Sequence, residues 1–368
     1  MIREQLFNYT IDEVSSVRYD EIKNRIDNIP KTKGSLGKFE DLLCKIGCAQ
    51  HLDTPDIARK ALVVMCADNG IIEEGITDVG GYMTGLIAGK MAENSAIVSY
   101  MAGSSDIKIL PVDIGINGDI NIEGIINKKI SKGTNNFLKE SAMTEEQVLK
   151  AIETGIEIVR ELHDDGYGII CTGDTGIGNA TTSVALICAI LDGDPSVLTG
   201  NSATLSDTAY KKKIDVISEG LHKYGYDRDD IGFESMGGIA ERIGHEPARV
   251  LDMLKNIGGL DIAGLVGVFI GGAIYHVPVV VDGIISASAA LTADSLLPGV
   301  RNYMICSHFG KEPATEIVFT ELELDPVITA EMSLGEGTGA VMLMPLLDMV
   351  MRVFDGLAPK EPVLEDKM

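Results

Sequence analysis

Chemistry-bearing residues concentrate in three glycine-rich stretches of this chain. In Leu334-Gly335-Glu336-Gly337-Thr338-Gly339-Ala340 a lone carboxylate is flanked by glycines. Such flanks let another molecule approach closely, and partial desolvation raises a glutamate toward the pKa of a useful general base. A solvent-exposed glutamate in a turn has the same pattern, so both readings stand on this segment alone.

The densest stretch is Cys171-Thr172-Gly173-Asp174-Thr175-Gly176-Ile177-Gly178-Asn179-Ala180-Thr181-Thr182, which leads from an apolar strand into an apolar helix over 184–191. Glycines turn backbone amides toward a ligand, and the helix that follows offers unpaired N–H groups to an anion such as a phosphate. The spacing is G-x-x-G-x-G, not the dinucleotide order G-x-G-x-x-G, and the chain has no GK[ST] for a P-loop. Read structurally, the same residues are a strand-to-helix turn capped by Asn179 or Thr181. A third loop, Gly200-Asn201-Ser202, precedes Lys211-Lys212-Lys213. In a chain this acidic the lysines are a candidate phosphate contact, with a solvated helix face as the reading for at least two of them.

The elements that must position these residues are legible in outline. From residue 61 short β-branched runs alternate with helical stretches, the pattern of a parallel sheet covered by helices on both faces. The spacing predicts strands over 61–67, 107–114, 168–172, 277–281 and 303–306. Such sheets bind ligands beyond the carboxyl ends of their strands, where Asp68, Asp113, Asp174, Asp282 and the pair Ser307-His308 fall. An Asp there also caps helices and makes turns, yet five such positions mark one edge of the sheet as polar and acidic. Helical spacing predicts helices over 11–28 and 38–49, separated by the basic loop Lys31-Thr32-Lys33-Gly34-Ser35-Leu36-Gly37. A last helix is expected over 340–354, interrupted at Pro345. The fold class is α/β: a doubly wound parallel sheet of residues 56–311, with 1–55 and 312–368 together forming a small, mainly helical lobe that carries Glu336. The end from Pro359 is expected to fray.

Composition narrows the function classes. Hydrophobic residues make up 45% of the 368 and charged ones 23%, which excludes a disordered chain. Lys+Arg 31 against Asp+Glu 55 gives a net charge of -24, a field that repels nucleic-acid backbones and anionic membranes. Arg3, Glu4 and Gln5 stand where a signal peptide needs an apolar run, which reads as a cytoplasmic protein. The six cysteines form no CxxC pair and the six histidines lack the paired spacing of a metal site, so neither disulfide nor metal is expected.

In order and spacing these segments resemble the nicotinate-nucleotide:5,6-dimethylbenzimidazole phosphoribosyltransferases, which make the lower-ligand nucleotide of cobamides. The likeness runs through Lys33-Gly34-Ser35-Leu36-Gly37, Met65-Cys66-Ala67-Asp68-Asn69-Gly70, Val112-Asp113-Ile114-Gly115 and Gly133-Thr134-Asn135-Asn136-Phe137. It continues through residues 173–182, Val280-Val281-Asp282-Gly283, Ser307-His308-Phe309 and 334–340, almost the whole chain. The resemblance implies a Rossmann-like sheet and a dimer, of identical chains or with a paralogue, whose active sites lie near the subunit interface. It also implies transfer of the 5-phosphoribosyl group from nicotinate mononucleotide to an aromatic base, with no cofactor and no metal.

By the same resemblance Glu336 takes the proton from the incoming base, Asp174 stands near the donor where the family usually has Glu, and Lys213 meets the donor phosphate. Gly173, Thr175, Gly176, Gly178, Asn179, Gly200, Ser202, Asp282 and Ser307 complete the expected donor site, and Val79, Met83, Ile87 and Leu334 the base site. An acidic strand edge suits this chemistry, because breaking the glycosidic bond builds positive charge on the ribose. The chain departs from the family pattern with Asn69 for a common His and Ser202 for a frequent Gly. Val79 and Ile87 replace the Ser and Gln of benzimidazole-using relatives, which favours a phenolic or less polar base unless Thr84 faces it instead. Two rival readings remain: a nucleotide-dependent oxidoreductase, disfavoured by the missing dinucleotide fingerprint, and a non-catalytic partner subunit, disfavoured by the retained Glu336.

Overall fold

The computed structural model describes residues 1–119, 121–200, 207–227 and 246–357. Strand β1 (Lys60–Ala67) sets the architecture, because all eight of its residues are buried. Leu62, Val64 and Cys66 enter one hydrophobic cluster, while Ala61, Val63, Met65 and Ala67 enter another. A strand apolar on both faces belongs at the centre of a covered parallel sheet. It pairs in parallel with β2 (Ile107–Gly115) on one side and β4 (Ile169–Thr175) on the other. With β3 (Ile126–Asn127), β5 (Val279–Val281) and β6 (Met304–Cys306) the sheet has six parallel strands in the order β3-β2-β1-β4-β5-β6. The direction of winding reverses between β1 and β4, and ligands of such sheets bind at that crevice. Strands β7 (His308–Gly310) and β8 (Ile328–Met332) form a separate two-stranded parallel sheet.

The helices are α1 (Arg3–Phe7), α2 (Ser16–Asp27), α3 (Lys38–Ala49), α4 (Tyr82–Ala92), α5 (Ile97–Ala102), α6 (Glu145–Asp164) and α7 (Asn179–Leu191). They continue as α8 (Pro195–Leu198), α9 (Asp207–Tyr224), α10 (Pro247–Ile257), α11 (Leu260–Ile274), α12 (Ile284–Leu296), α13 (Pro313–Glu321) and α14 (Thr338–Gly356). Buried residues of α6, α7, α10, α11 and α12 share one cluster with the sheet, and those of α2, α3, α4, α5 and α14 share the other. The doubly wound parallel sheet is therefore present.

The five expected strands exist with shifted ends. β4 runs on through Asp174 to Thr175, because its register with β1 continues to Cys66 opposite Thr175. β5 begins at Val279, after Pro278, whose ring nitrogen has no N–H to give a ladder. Tyr303 lies in a 3₁₀ turn and not in β6. Strands β3, β7 and β8 were not expected: the first two are two and three residues long, and β8 is largely exposed and carries no buried alternation.

Helix α2 starts at Ser16 and not at residue 11, because the Ser15 hydroxyl caps it by accepting the Arg18 N–H at 3.2 Å. Helix α14 is continuous, with Pro345 inside it. Buried Val341, Leu343, Met344 and Leu347 hold it across the hydrogen bond that proline cannot make. Among the described residues, the terminal segments pack into the same two clusters as the sheet. Ile26, Leu43 and Val341 join Leu62 and Val64 in one cluster, while Val318 and Phe319 of α13 join the other, so these amphipathic faces are spent on the sheet and its helices. All six cysteines are buried free thiols. Among the described residues no helix is long and apolar enough to cross a membrane, and none of the His, Cys, Asp and Glu groupings could hold a metal ion. Ser202 and the segment from Pro359 lie outside the described residues.

Candidate active site

Glu336 sits in the turn before α14, between Gly335 and Gly337, and the three residues have φ of 80°, 61° and 83°. Left-handed backbone is unfavourable for a glutamate, so neighbouring groups must hold it. Asp282, directly after β5, accepts the Gly337 N–H through Oδ2 at 3.2 Å and the Ala340 N–H through Oδ1 at 2.9 Å. Burial raises the Asp282 carboxyl above its usual range, against the opposing pull of His308 and of the backbone amides of Ala340, Gly283 and Gly339. Gly173 lies inside β4, not in the turn after it, and it faces this loop. A Cβ on Gly173 would come 2.9 Å from the Glu336 carbonyl group and the Gly337 nitrogen. Partial burial pushes the Glu336 carboxyl above its usual pKa, the direction a general base requires.

A second group of carboxylates lies within electrostatic reach of the first. Asp174, near the end of β4, is buried and accepts the Asn179 side-chain N–H through Oδ1 at 2.9 Å. The same amide nitrogen donates to Asp261 Oδ2 at 3.0 Å. Asp261 is wholly buried in the first turn of α11. Burial, then the charges of Asp282, Asp261 and Glu336, push Asp174 well above the usual carboxylate range, against the pull of Asn179. Burial also pushes Asp261 up to about 6, although its hydrogen bonds oppose this. Gly176 leaves room for the arrangement, since a Cβ there would overlap the Ala67 carbonyl and lie 2.6 Å from Asp261 Oδ2. Gly178, with φ of 96°, is the N-cap of α7, so the cap is neither Asn179 nor Thr181. Thr175 is buried beside them.

Of the three lysines only Lys213 is buried, while Lys211 and Lys212 are exposed. Burial lowers the Lys213 ammonium pKa, and Glu312 opposes that shift. Glu312 also packs against Gly200, so Gly200 and Lys213 form a group around it. β7 links this group to the first: its Gly310 meets Glu312, and its His308 packs with Asp282 against Gly339. The Ser307 hydroxyl donates to the Val281 carbonyl at 2.7 Å and contacts His308 Nδ1 at 2.9 Å.

Of the expected base residues, Met83 and Ile87 lie on α4 and Val79 just before it, whereas Leu334 lies in the Glu336 loop between β8 and α14. Val79 and Leu334 are exposed, and Met83 and Ile87 half-buried. Thr84 is wholly buried, donates to Asp68 Oδ1 at 2.6 Å and accepts the Ile177 N–H at 3.3 Å. Its hydroxyl is committed to holding two turns together. Asn69 is buried too, with Oδ1 accepting from Thr182 at 3.3 Å and its amide beside Asp261.

The sequence and the fold are matched by known proteins. A family model described as phosphoribosyltransferase matches residues 11–362. The nicotinate-nucleotide-dimethylbenzimidazole phosphoribosyltransferase of Clostridium acetobutylicum is 38% identical over 330 residues, covering 89% of this chain and 88% of that protein. The chain belongs to this phosphoribosyltransferase family. The enzyme of the same name from Acetivibrio thermocellus is 35% identical over 352 residues, 96% of this chain and 95% of its own length. The crystal structure of CobT from Thermus thermophilus superposes with a TM-score of 0.82 at 26% identity, covering 92% of this chain and 96% of that one.

Within this phosphoribosyltransferase fold, Asp261 is the site residue that sequence reasoning missed. No strand precedes it, and it stands in Gly259-Leu260-Asp261-Ile262, where a helix start explains an acidic residue by itself. The available signal was that it is the lone charge of the 15-residue helix α11. A solvated acidic residue at a helix start needs no apolar run on every side.

Proposed function

We propose that this family member moves the 5-phosphoribosyl group of nicotinate mononucleotide to a lower-ligand base, giving an α-ribotide for cobamide synthesis. The observation that carries this reading is Glu336, a half-buried carboxyl fixed in a strained glycine turn by Asp282 and facing Gly173. In this reading Glu336 takes the proton of the incoming base as its nitrogen or oxygen attacks the anomeric carbon. The bond to nicotinate breaks on the opposite face, and nicotinate leaves with the electron pair. Positive charge that develops on the ribose is met by Asp174. Its carboxylate is costly in the empty site and is favoured once a cation lies beside it, so it stabilises the transition state more than the resting enzyme.

Lys213 and the loop at Gly200 take the donor phosphate, with Gly176 and Gly178 at the turn into α7. Val79, Met83, Ile87 and Leu334 take the base. The enzyme acts in the cytoplasm as a dimer, of identical chains or with a paralogue. Exposed Tyr82, Leu86, Ile97 and Tyr100 on α4 and α5 support a partner on that side. The test is incubation of the isolated protein with nicotinate mononucleotide and a panel of benzimidazole and phenolic bases. Release of nicotinate with formation of a ribotide is expected; no ribotide with any base would favour the non-catalytic partner instead.

A further inference from the structure

We infer that Asp261 is a positioning residue for this reaction: through Asn179 it holds the Asp174 carboxyl toward the donor and biases its ionisation. The inference rests on the role proposed above for Asp174. A primary amide has two N–H groups, and Asn179 gives one to Asp174 Oδ1 at 2.9 Å and one to Asp261 Oδ2 at 3.0 Å. Both acceptors are buried, so neither bond is exchanged for water.

Asp261 is itself fixed. Its Oδ1 accepts the Ile262 N–H at 3.0 Å, and its carboxyl packs between Gly176 and Gly259, where any Cβ would collide with it. The helix that carries it is otherwise apolar and buried, and a charge there costs desolvation that an apolar side chain would avoid. Its return is geometric and electrostatic. The carboxyl orients the Asn179 amide, and it places a second negative charge one amide away from Asp174. The charges of Asp282 beyond β5 and Glu336 before α14 also act on Asp174, and His308 stands by Asp282. Removing the Asp261 charge alone leaves those groups in place.

The experiment compares kcat and KM of Asp261→Asn, Asp261→Ala and Asp174→Asn with wild type, alongside thermal melts. Asparagine at 261 still offers an oxygen to Asn179, whereas alanine does not. Asp261→Ala is expected to lose kcat by roughly 10- to 100-fold at little-changed KM, with Asp261→Asn recovering most of that loss. Acid limbs are read in a Glu336→Gln background, so that the general base does not titrate. There, loss of the like charge in Asp261→Asn moves the limb to lower pH by roughly one unit. A limb that stays in place, or an Asp261→Asn no better than Asp261→Ala, overturns the positioning role while Asp174→Asn remains impaired. An Asp174→Asn enzyme with wild-type kcat overturns the proposed role of Asp174 itself, and this inference with it. If Asp261→Ala does not fold, the limb of Asp261→Asn decides.

Discussion

Asp282 holds Ala340: the carboxylate beyond β5 accepts the amide N–H of the last helix's first turn at 2.9 Å, and its other oxygen takes the Gly337 N–H at 3.2 Å. Glu336 lies one residue from the second of these bonds, so Asp282 anchors the general base of the proposed reaction. Asp282→Ala should lower kcat by roughly 10- to 100-fold through misplacement of the loop. Two buried amides left without partners should also cost about 1–3 kcal/mol each in urea unfolding. Gly173→Ala, which drives a methyl into the same loop from β4, should reproduce the loss of kcat. Wild-type kcat in both variants would show that other contacts fix Glu336.

The acidic edge around Asp282 and Asp174 was legible because each follows a short apolar run, and runs of that kind end at the functional edge of a parallel sheet. The roles of individual residues were less so. Asn179 and Gly173 read as parts of a phosphate cradle, yet the Asn179 side chain is bound to two carboxyls and Gly173 spaces β4 from the Glu336 loop. Asp261 was missed because its side-chain partner Asn179 is 82 residues away and a helix start accounts for an aspartate locally. Pro345 reads as a break, and only tertiary burial explains a helix that continues through it. The short strands β3, β7 and β8 carry too few residues for a period to show.

Stability at low pH should depend on Glu40 of α3. Its side chain is fully buried and accepts from Lys23 and Lys31 at 2.7 Å each and from the Leu36 N–H at 3.1 Å. Burial alone would raise this carboxyl, but the three hydrogen bonds outweigh it and hold the pKa at about 2. A carboxylate depressed in the folded state contributes stability above its unfolded pKa of roughly 4.5 and loses it as pH falls toward about 2. Glu40→Gln should therefore be less stable by about 3 kcal/mol at neutral pH. The gap between variant and wild type should close on acidification below the ordinary glutamate range. Equal urea midpoints at neutral pH would contradict this.

In the proposed reaction, base choice turns on Thr84. Its hydroxyl is bound to Asp68 and to the Ile177 N–H, which removes it as the polar alternative to Val79, Met83 and Ile87. A benzimidazole attacks through one ring nitrogen and gives up the proton of the other to Glu336, whereas a phenol needs a polar partner at a single oxygen and leaves the rest of its ring to apolar neighbours. With phenol and 5,6-dimethylbenzimidazole supplied at equal concentration, a phenolic ribotide should form beside the benzimidazole product. Exclusive formation of the benzimidazole ribotide, even when phenol is given alone, would sink the idea.

The measurement closest to the central claim is the turnover of Glu336→Gln with nicotinate mononucleotide and each accepted base. Glutamine fits the same turn but cannot take a proton, so the variant should melt like wild type while kcat falls by roughly 100- to 10,000-fold. Folded Glu336→Gln protein with wild-type kcat on every base would contradict the assignment of Glu336 as the general base.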